Sequence, residues 1–373
     1  MKTNRIFISL MLCTLVMGCA QGSRMMSAES KSKSKIEKAT SGDSEILFPV
    51  KKSGKWGYID KTGKLVINPQ FVYAHVFKEG LAGVRIGDEE TGKWGYIDKN
   101  EKYVINPQFD GTGDFSEGLA WVLIGNIQTG KFGYIDKTGE YVINPEFNLA
   151  GSFSEGLALV RIGDLQTGKW GYIDKKRKYV INPQYDKASD FSEGLAWIQI
   201  GGSETGKFGY IDKTGKYVIN PQFDGTGDFR EGLAWVRIGD VMTGKSGYID
   251  MTGKYVINPQ FDGAGDFREG LAPARIGDLM TGKWGYIDKT GKYVINSQFD
   301  GAEDFSEGLA PVQIGDWQTG EWGYIDKTGK ITIDPQFDFH LAMDFSKGLA
   351  QVYVDLKWGY IDRTGKYIWE PTN

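Results

Sequence analysis

One interval governs this chain. Trp56, Trp94, Phe132, Trp170, Phe208, Ser246, Trp284 and Trp322 lie 38 residues apart, and Trp358 follows after a further 36. A period between about 20 and 50 residues marks a solenoid, a propeller or an array, in which each unit buries its apolar face only against its neighbours. The architecture is therefore repetitive, and an excised unit is not expected to fold alone.

Within a unit, Trp56-Gly57-Tyr58-Ile59-Asp60 alternates with the period of two that a strand requires, and Tyr103-Val104-Ile105 is a second β-rich run. Asp-Lys-Thr-Gly joins them. Asp at the first turn position and a left-handed Gly at the fourth fit a three-residue hairpin, with the carboxylate capping backbone N–H groups. Asp60, Gly63 and Asp98 thus have a structural reason to recur. Two units carry Asn100-Glu101 and Lys176-Arg177 where the others have Thr-Gly, so a non-glycine residue is expected in the left-handed seat there. A third strand reads Leu-Ala-x-Val-Arg-Ile, as in Leu233 to Ile238. Its Ala, Val and Ile, as in Ala234, Val236 and Ile238, hardly change between units and are expected to form the core face, whereas x runs through Gly83, Trp121, Leu159, Trp197, Trp235, Pro273, Pro311 and Gln351. Asn-Pro is expected to stop the last strand, because proline donates no ladder bond. Phe223 and Phe229 would pin the following connection.

The expected fold is all-β, with nine three-stranded antiparallel meanders in an open solenoid-like array over residues 45–373. A closed propeller-like ring is the alternative, and the open form is favoured because propellers commonly have four to eight blades of four strands.

The first residues read differently. Lys2 and Arg5 precede an apolar run from Ile6 to Gly18, too short to span a bilayer and typical of an export signal. The run ends in Val16-Met17-Gly18-Cys19, which resembles the bacterial lipobox. That resemblance implies cleavage of residues 1–18 and lipidation of Cys19; an ordinary secretory signal is the alternative. Residues 19–44 are rich in Ser, Lys and Glu and are expected to form a disordered tether. The other cysteine, Cys13, lies in the segment to be removed, so no disulfide is expected. The protein is then expected on an envelope membrane, the outer membrane by preference, facing the periplasm or the surface.

Composition narrows function. With 44 basic and 48 acidic residues and a net charge of −4, no basic stripe offers itself to nucleic acid. The two histidines, His75 and His340, lie far apart in connections and read as solvated. No nucleophile elbow, zinc motif, P-loop or nucleophilic cysteine is present, so no enzyme activity, cofactor or metal is expected. Asp224 to Asp228 lacks the alternating acidic ligands of a calcium loop. Trp121, Trp197 and Trp235, with Arg237, occupy the variable strand and are the candidates for contact with a protein or envelope partner; the alternative is that the tryptophans fill the space to the adjacent unit. Trp56, Trp94, Trp170, Trp284, Trp322 and Trp358 read as packing residues. A purely structural spacer and a glycan-binding module are the rival readings.

The repeated phrase W-G-Y/F-I-D-x-x-G-K, the β-run ending in Pro and the strand E-G-L-A-x-V resemble the bacterial WG-repeat, or KWG-repeat, family from Glu45 onward. The resemblance implies a β-rich repeat with a binding or structural role and no shared enzymatic activity. Phe132, Phe208 and Ser246 depart from its Trp, Ser297 from its Pro and Lys347 from its Glu. Choline- and glucan-binding hairpins look similar, but they repeat at about 20 residues and lack the E-G-L-A strand.

Overall fold

A computed structural model describes residues 46–164, 166–202, 205–316, 319–338 and 343–372. The signal segment 1–18, Cys19, the tether and His340 lie outside them. The described residues contain strands and turns with no helix, arranged as nine small antiparallel sheets, hereafter blades 1 to 9.

Blade 6 shows the pattern. A two-residue inner strand, Gly225–Thr226, pairs with Leu233–Ile238, then Lys245–Asp250, then an outer strand, Tyr255–Phe261. Among the described residues, seven blades have these four strands, and the first and ninth have three. The expected three-strand meander is thus present in every blade. The fourth strand comes from the Phe-Asp-Gly-Thr connection, which was too short and glycine-rich to read as β.

Two further expectations are corrected. The outer strand does not stop at Asn-Pro: Tyr255–Phe261 runs through Pro259, and Phe261 sits opposite Ser246. A register shift between Ser246 and Tyr248 makes this possible. The bulged backbone comes so close that a Cβ built on Gly247 would lie 2.4 Å from the Ile257 carbonyl oxygen and 2.6 Å from the Pro259 nitrogen. The glycine after Trp is therefore required by contact with the outer strand, and the proline, having no N–H, leaves no donor stranded there.

The second correction concerns the array, which is closed. Nine apolar clusters lie between blades. Leu233, Tyr248, Ile257 and Phe261 of blade 6 meet Phe267, Ala272, Ala274 and Ile287 of blade 7. The same contact joins the ends of the chain, where Leu349 and Tyr360 of blade 9 pack on Phe48, Val50 and Ile59 of blade 1. Each third strand also sends a tyrosine hydroxyl across the interface. Tyr58 donates to the His75 carbonyl at 2.7 Å, Tyr134 to Gly151 at 2.8 Å and Tyr248 to Gly265 at 2.8 Å. Tyr360 of blade 9 donates to the Pro49 carbonyl of blade 1 at 3.0 Å, and Thr372 donates to the Lys51 carbonyl. An open array would leave the Phe48 and Tyr360 faces wet; closure buries them, which decides against the favoured expectation.

The turns form as read. In blade 1, Asp60 Oδ1 accepts from the Thr62 and Lys64 amides at 2.8 and 3.1 Å, and Gly63 has φ 85°. Glu101 and Arg177 occupy the left-handed seat with φ 66° each.

Tyr248→Phe is expected to lower stability by about 1 to 2 kcal/mol, the cost of one buried hydrogen bond with its acceptor left unpaired. Gly209→Ala, whose Cβ would lie 2.5 Å from the Ile219 carbonyl oxygen, is expected to cost more. Guanidinium unfolding of the two variants beside wild type checks the order.

Candidate functional site

The inner strands and the residues after them form the wall nearest the ring's centre. There the connection Asp-Gly-Thr-Gly-Asp-Phe turns back into the second strand, and its last Asp faces the blade before it. Asp190, Asp228, Asp266, Asp304 and Asp344 occupy this seat on five consecutive blades, 5 to 9. On the other arc the same seat holds Val76, Asp114 and Ser152. The wall is therefore acidic along one arc and largely neutral along the other.

These carboxylates influence one another across blade boundaries. Burial against the neighbouring blade, reinforced by the charge of Asp228, raises Asp190 to about 6. Burial and Asp228 also raise Asp266 to about 6, against the pull of Arg230, Arg268 and Trp235. Burial, then Asp266, carries Asp304 to about 7, opposed by Arg268. Glu303 beside it is raised to about 7 by burial and Asp344. Burial likewise raises Asp228 and Asp344. Water still reaches these side chains, since 32 % of Asp228 and 21 % of Asp304 remains accessible. They line a wall and are not sealed in a core. Among the described residues, two cations answer the arc: Arg268 Nε stands 2.8 Å from Asp304 Oδ2, and Arg230 lies 3.6 Å from Asp228 and 3.9 Å from Asp266.

The three tryptophans of the variable strand belong to this wall and are half-buried. The indole of Trp197 of blade 5 faces Asp228 of blade 6, and that of Trp235 of blade 6 lies with Asp266 of blade 7 beside Gly227; each indole N–H favours the charged form of its carboxyl. Trp121 and Trp197 also pack on Phe132 and Phe208 of their own blades, with ring centroids 5.4 and 5.5 Å apart. Each indole thus fills space and holds a carboxylate, while keeping part of its face open. Trp121 lies two blades from Trp197. Arg237 shares the strand face of Trp235, both lying beside Gly225 of the inner strand, and its Nε donates to the Ser246 hydroxyl at 3.4 Å, in the seat where other blades hold an aromatic residue.

The remaining expected residues are structural in their placement. Trp322 is buried, and Trp56, Trp94, Trp170, Trp284 and Trp358 are half-buried at the start of their strands. Arg161 and Arg275 stack over Trp170 and Trp284 at 5.7 and 5.5 Å. His75 is not the solvated residue its connection suggested: its ring packs on Trp94 at 4.6 Å, and its Nδ1 is 3.4 Å from Asp114. Among the described residues, no three or more His, Cys, Asp or Glu side chains are placed to hold a metal ion. The aspartate arc escaped sequence reading because one Asp per 38 residues looks like a turn residue. The usable signal was its recurrence just before a buried Phe.

A second ladder holds the opposite end of the strands. Glu117, at φ 53°, accepts from the Gly156 amide of the next blade at 3.1 Å and pairs with Lys175 at 3.1 Å. Lys137–Glu79 and Lys289–Glu231 repeat the pairing. In blade 9 the seat is taken by Lys347, whose pKa is depressed by burial and by Lys78 and Lys99.

Together these features define a closed ring of tandem β-blades built as a scaffold of repeats. Eight segments, 56–89, 94–126, 132–165, 170–203, 208–241, 247–279, 284–316 and 322–357, match the WG containing repeat, and the chain belongs to that family. No curated protein matches it. Among solved structures it is similar to oligopeptidase B from Trypanosoma brucei, at 9% identity and TM-score 0.46, over 71% of this chain and 49% of that one. It is also similar to the β-propeller domain of the Trilobed protease from Pyrococcus furiosus, at 10% identity and TM-score 0.40, over 72% of this chain and 100% of that one. A prolyl endopeptidase structure matches at 10% identity and TM-score 0.44, over 80% of this chain and 54% of that one. The chain spans about half the length of the two larger peptidases.

The acidic arc sets a pH dependence whose sign is fixed. A carboxyl raised to about 7 in the folded state, as in Asp304, binds more protons folded than unfolded, where its pKa is about 3.9. Its stabilising effect is complete below the unfolded value and is lost as pH rises through the folded one. The turn aspartates act oppositely: Asp212 and Asp288, lowered by their Thr214 and Thr290 hydroxyls, stabilise above the unfolded value and cease to do so in strong acid. The guanidinium midpoint is therefore expected to be higher at about pH 5 than at about pH 8, and Asp304→Asn is expected to flatten that difference.

Proposed function

We propose that this chain is a non-catalytic binding ring, anchored to an envelope membrane by lipid on Cys19, that takes a cationic segment of a protein partner against its inner wall. The observation that carries the reading is the pairing of Trp197 with Asp228 and Trp235 with Asp266 on successive blades. An indole face beside a fixed carboxylate suits an ammonium or guanidinium group, which gains from both the ring quadrupole and the charge. Asp190, Asp304 and Asp344 extend the same field along the arc. Among the described residues each polar element recurs from blade to blade, which supports a non-catalytic reading.

The spacer reading is weakened by closure, since adding or removing blades alters a ring's circumference and not its reach. The glycan reading retains one supporting observation, the open faces of Trp121, Trp197 and Trp235, which sugars can stack upon.

Calorimetric titration of the purified protein with a deca-lysine peptide and with soluble cell-wall muropeptides separates these readings. Binding of the peptide is expected, weakening steeply with added salt. Trp197→Ser with Trp235→Ser is expected to abolish it while the thermal transition survives at a lower temperature. Peptide silence with muropeptide binding would replace this reading with the glycan one.

A further inference from the structure

The two ends of the blades are chemically unlike. At one end, the Asp-Lys-Thr-Gly turns and the Glu–Lys ladder present charge. The other end carries the hairpin loops between second and third strands, and two adjacent blades place large apolar side chains at those tips. Val241 and Met242 of blade 6 are 66% and 68% exposed, and Leu279 and Met280 of blade 7 are 51% and 56% exposed. Ile238 and Ile276, at the roots of the same loops, are 43% and 46% exposed. Single exposed apolar residues are ordinary, whereas a contiguous group marks an interaction surface.

The loop geometry forces this display. Asp240 folds its carboxylate inward, where Oδ1 accepts from the Met242 and Thr243 amides at 2.8 Å each and Oδ2 accepts from the Thr243 hydroxyl at 2.5 Å. Asp278 does the same with Met280 and Thr281 at 2.8 and 2.7 Å. The charge is spent within the turn, and the side chains at the crest point out. The flanking Lys245 and Lys283 are bound to Asp262 and Asp300 at 2.6 and 2.5 Å, so they neither cover the tips nor leave a strong net field beside them. Blade 2 carries Glu89 and Glu90 at the corresponding place, blade 3 carries Ile127 with Gln128, and Leu356 stands exposed on blade 9; among the described tips, those of blades 6 and 7 are the adjacent pair with two exposed apolar residues each.

We propose that the Val241-Met242 and Leu279-Met280 tips insert into the surface of the lipid bilayer, so that the ring rests on the membrane at blades 6 and 7. The inference rests on the anchoring at Cys19 proposed above. Between Cys19 and Ile46 lie 26 residues, a length of chain whose upper limit of span is roughly 90 Å at 3.3 to 3.6 Å each. That reach exceeds the roughly 20 Å length of a blade strand several times over, so an anchored ring can bring either end to the bilayer. Unbranched Met and branched Val and Leu at loop crests suit the fluid acyl boundary, which demands apolar area without a shaped pocket.

The test uses the full chain, acylated and purified from membranes, reconstituted in phosphatidylcholine vesicles with nitroxide-labelled acyl chains. Bimane is attached at Met242→Cys, at Met280→Cys or, as the control at the other end of blade 6, at Lys254→Cys. Emission from the two tip positions is expected to shift to the blue and to be quenched at least ~2-fold more strongly than at position 254. Water-like emission and weak quenching at all three positions, with the protein still floating with the vesicles, would overturn the inserted tips and leave the anchor intact. Failure to float, in the acylation-deficient Cys19→Ser and the unaltered chain alike, would instead count against the anchor. In unanchored protein, blue-shifted tips on added vesicles would still support insertion, and water-like tips would end it.

Discussion

Nine tyrosine hydroxyls, one from each third strand, bind the backbone of the following blade, and the rest of the structure is arranged to make that possible. The ring of each tyrosine is buried between blades, so its hydroxyl would be a costly orphan without the carbonyl it reaches. Eight of the carbonyls belong to the inner connection of the next unit, as with Tyr172 and Ser189. The ninth, that of Pro49, lies on the second-strand position itself, because no inner strand stands beside it among the described residues. The same donor thus serves regular and closing interfaces with a different acceptor. This accounts for a unit whose Trp can be exchanged for Phe or Ser while its Tyr is present in every blade.

The phrase Trp-Gly-Tyr-Ile-Asp can be read in these terms, residue by residue. Tyr and Ile supply the interface, and Asp builds the turn. Gly admits the bulged outer strand, whose Pro removes the one amide that the bulge would leave without a partner. Trp has the least constrained task, filling the mouth of the strand pair. Where Ser246 replaces it, Arg237 swings in and donates to the hydroxyl. A repeat in which the variable residue is the large aromatic and the invariant one is glycine reflects backbone proximity more than hydrophobic content.

Much of this was legible in the amino-acid order. The period, the three long strands, the turn at Asp60 and the left-handed Glu101 and Arg177 follow from pattern and turn chemistry. Closure was not legible. It depends on Phe48, Val50 and Tyr360 meeting across more than three hundred residues, and the same apolar faces would occur at the ends of a capped open stack. The count of nine blades also misled, because the packing between blades sets the curvature and no strand pattern encodes it. The candidate wall was half legible. Trp121, Trp197 and Trp235 stood out as variable aromatics, but Arg237 is engaged with Ser246 of its own blade, and the carboxylates beside the indoles become a group only when five blades place them side by side.

The seam between blades 9 and 1 has a kinetic meaning. Every other interface joins neighbours in the chain, and its closure entropy is that of a short loop. The Tyr360 to Pro49 contact bridges 311 residues and bears the largest closure cost in the molecule. Blades can therefore condense one upon another as they are made, and the circle is completed last. Lys347 stands where the turns of blades 2 to 8 offer a glutamate latch, so that final joint lacks a contact which seven others have. A ring with one soft joint unfolds from a defined place, and the order of its undoing is the reverse of the order of its making.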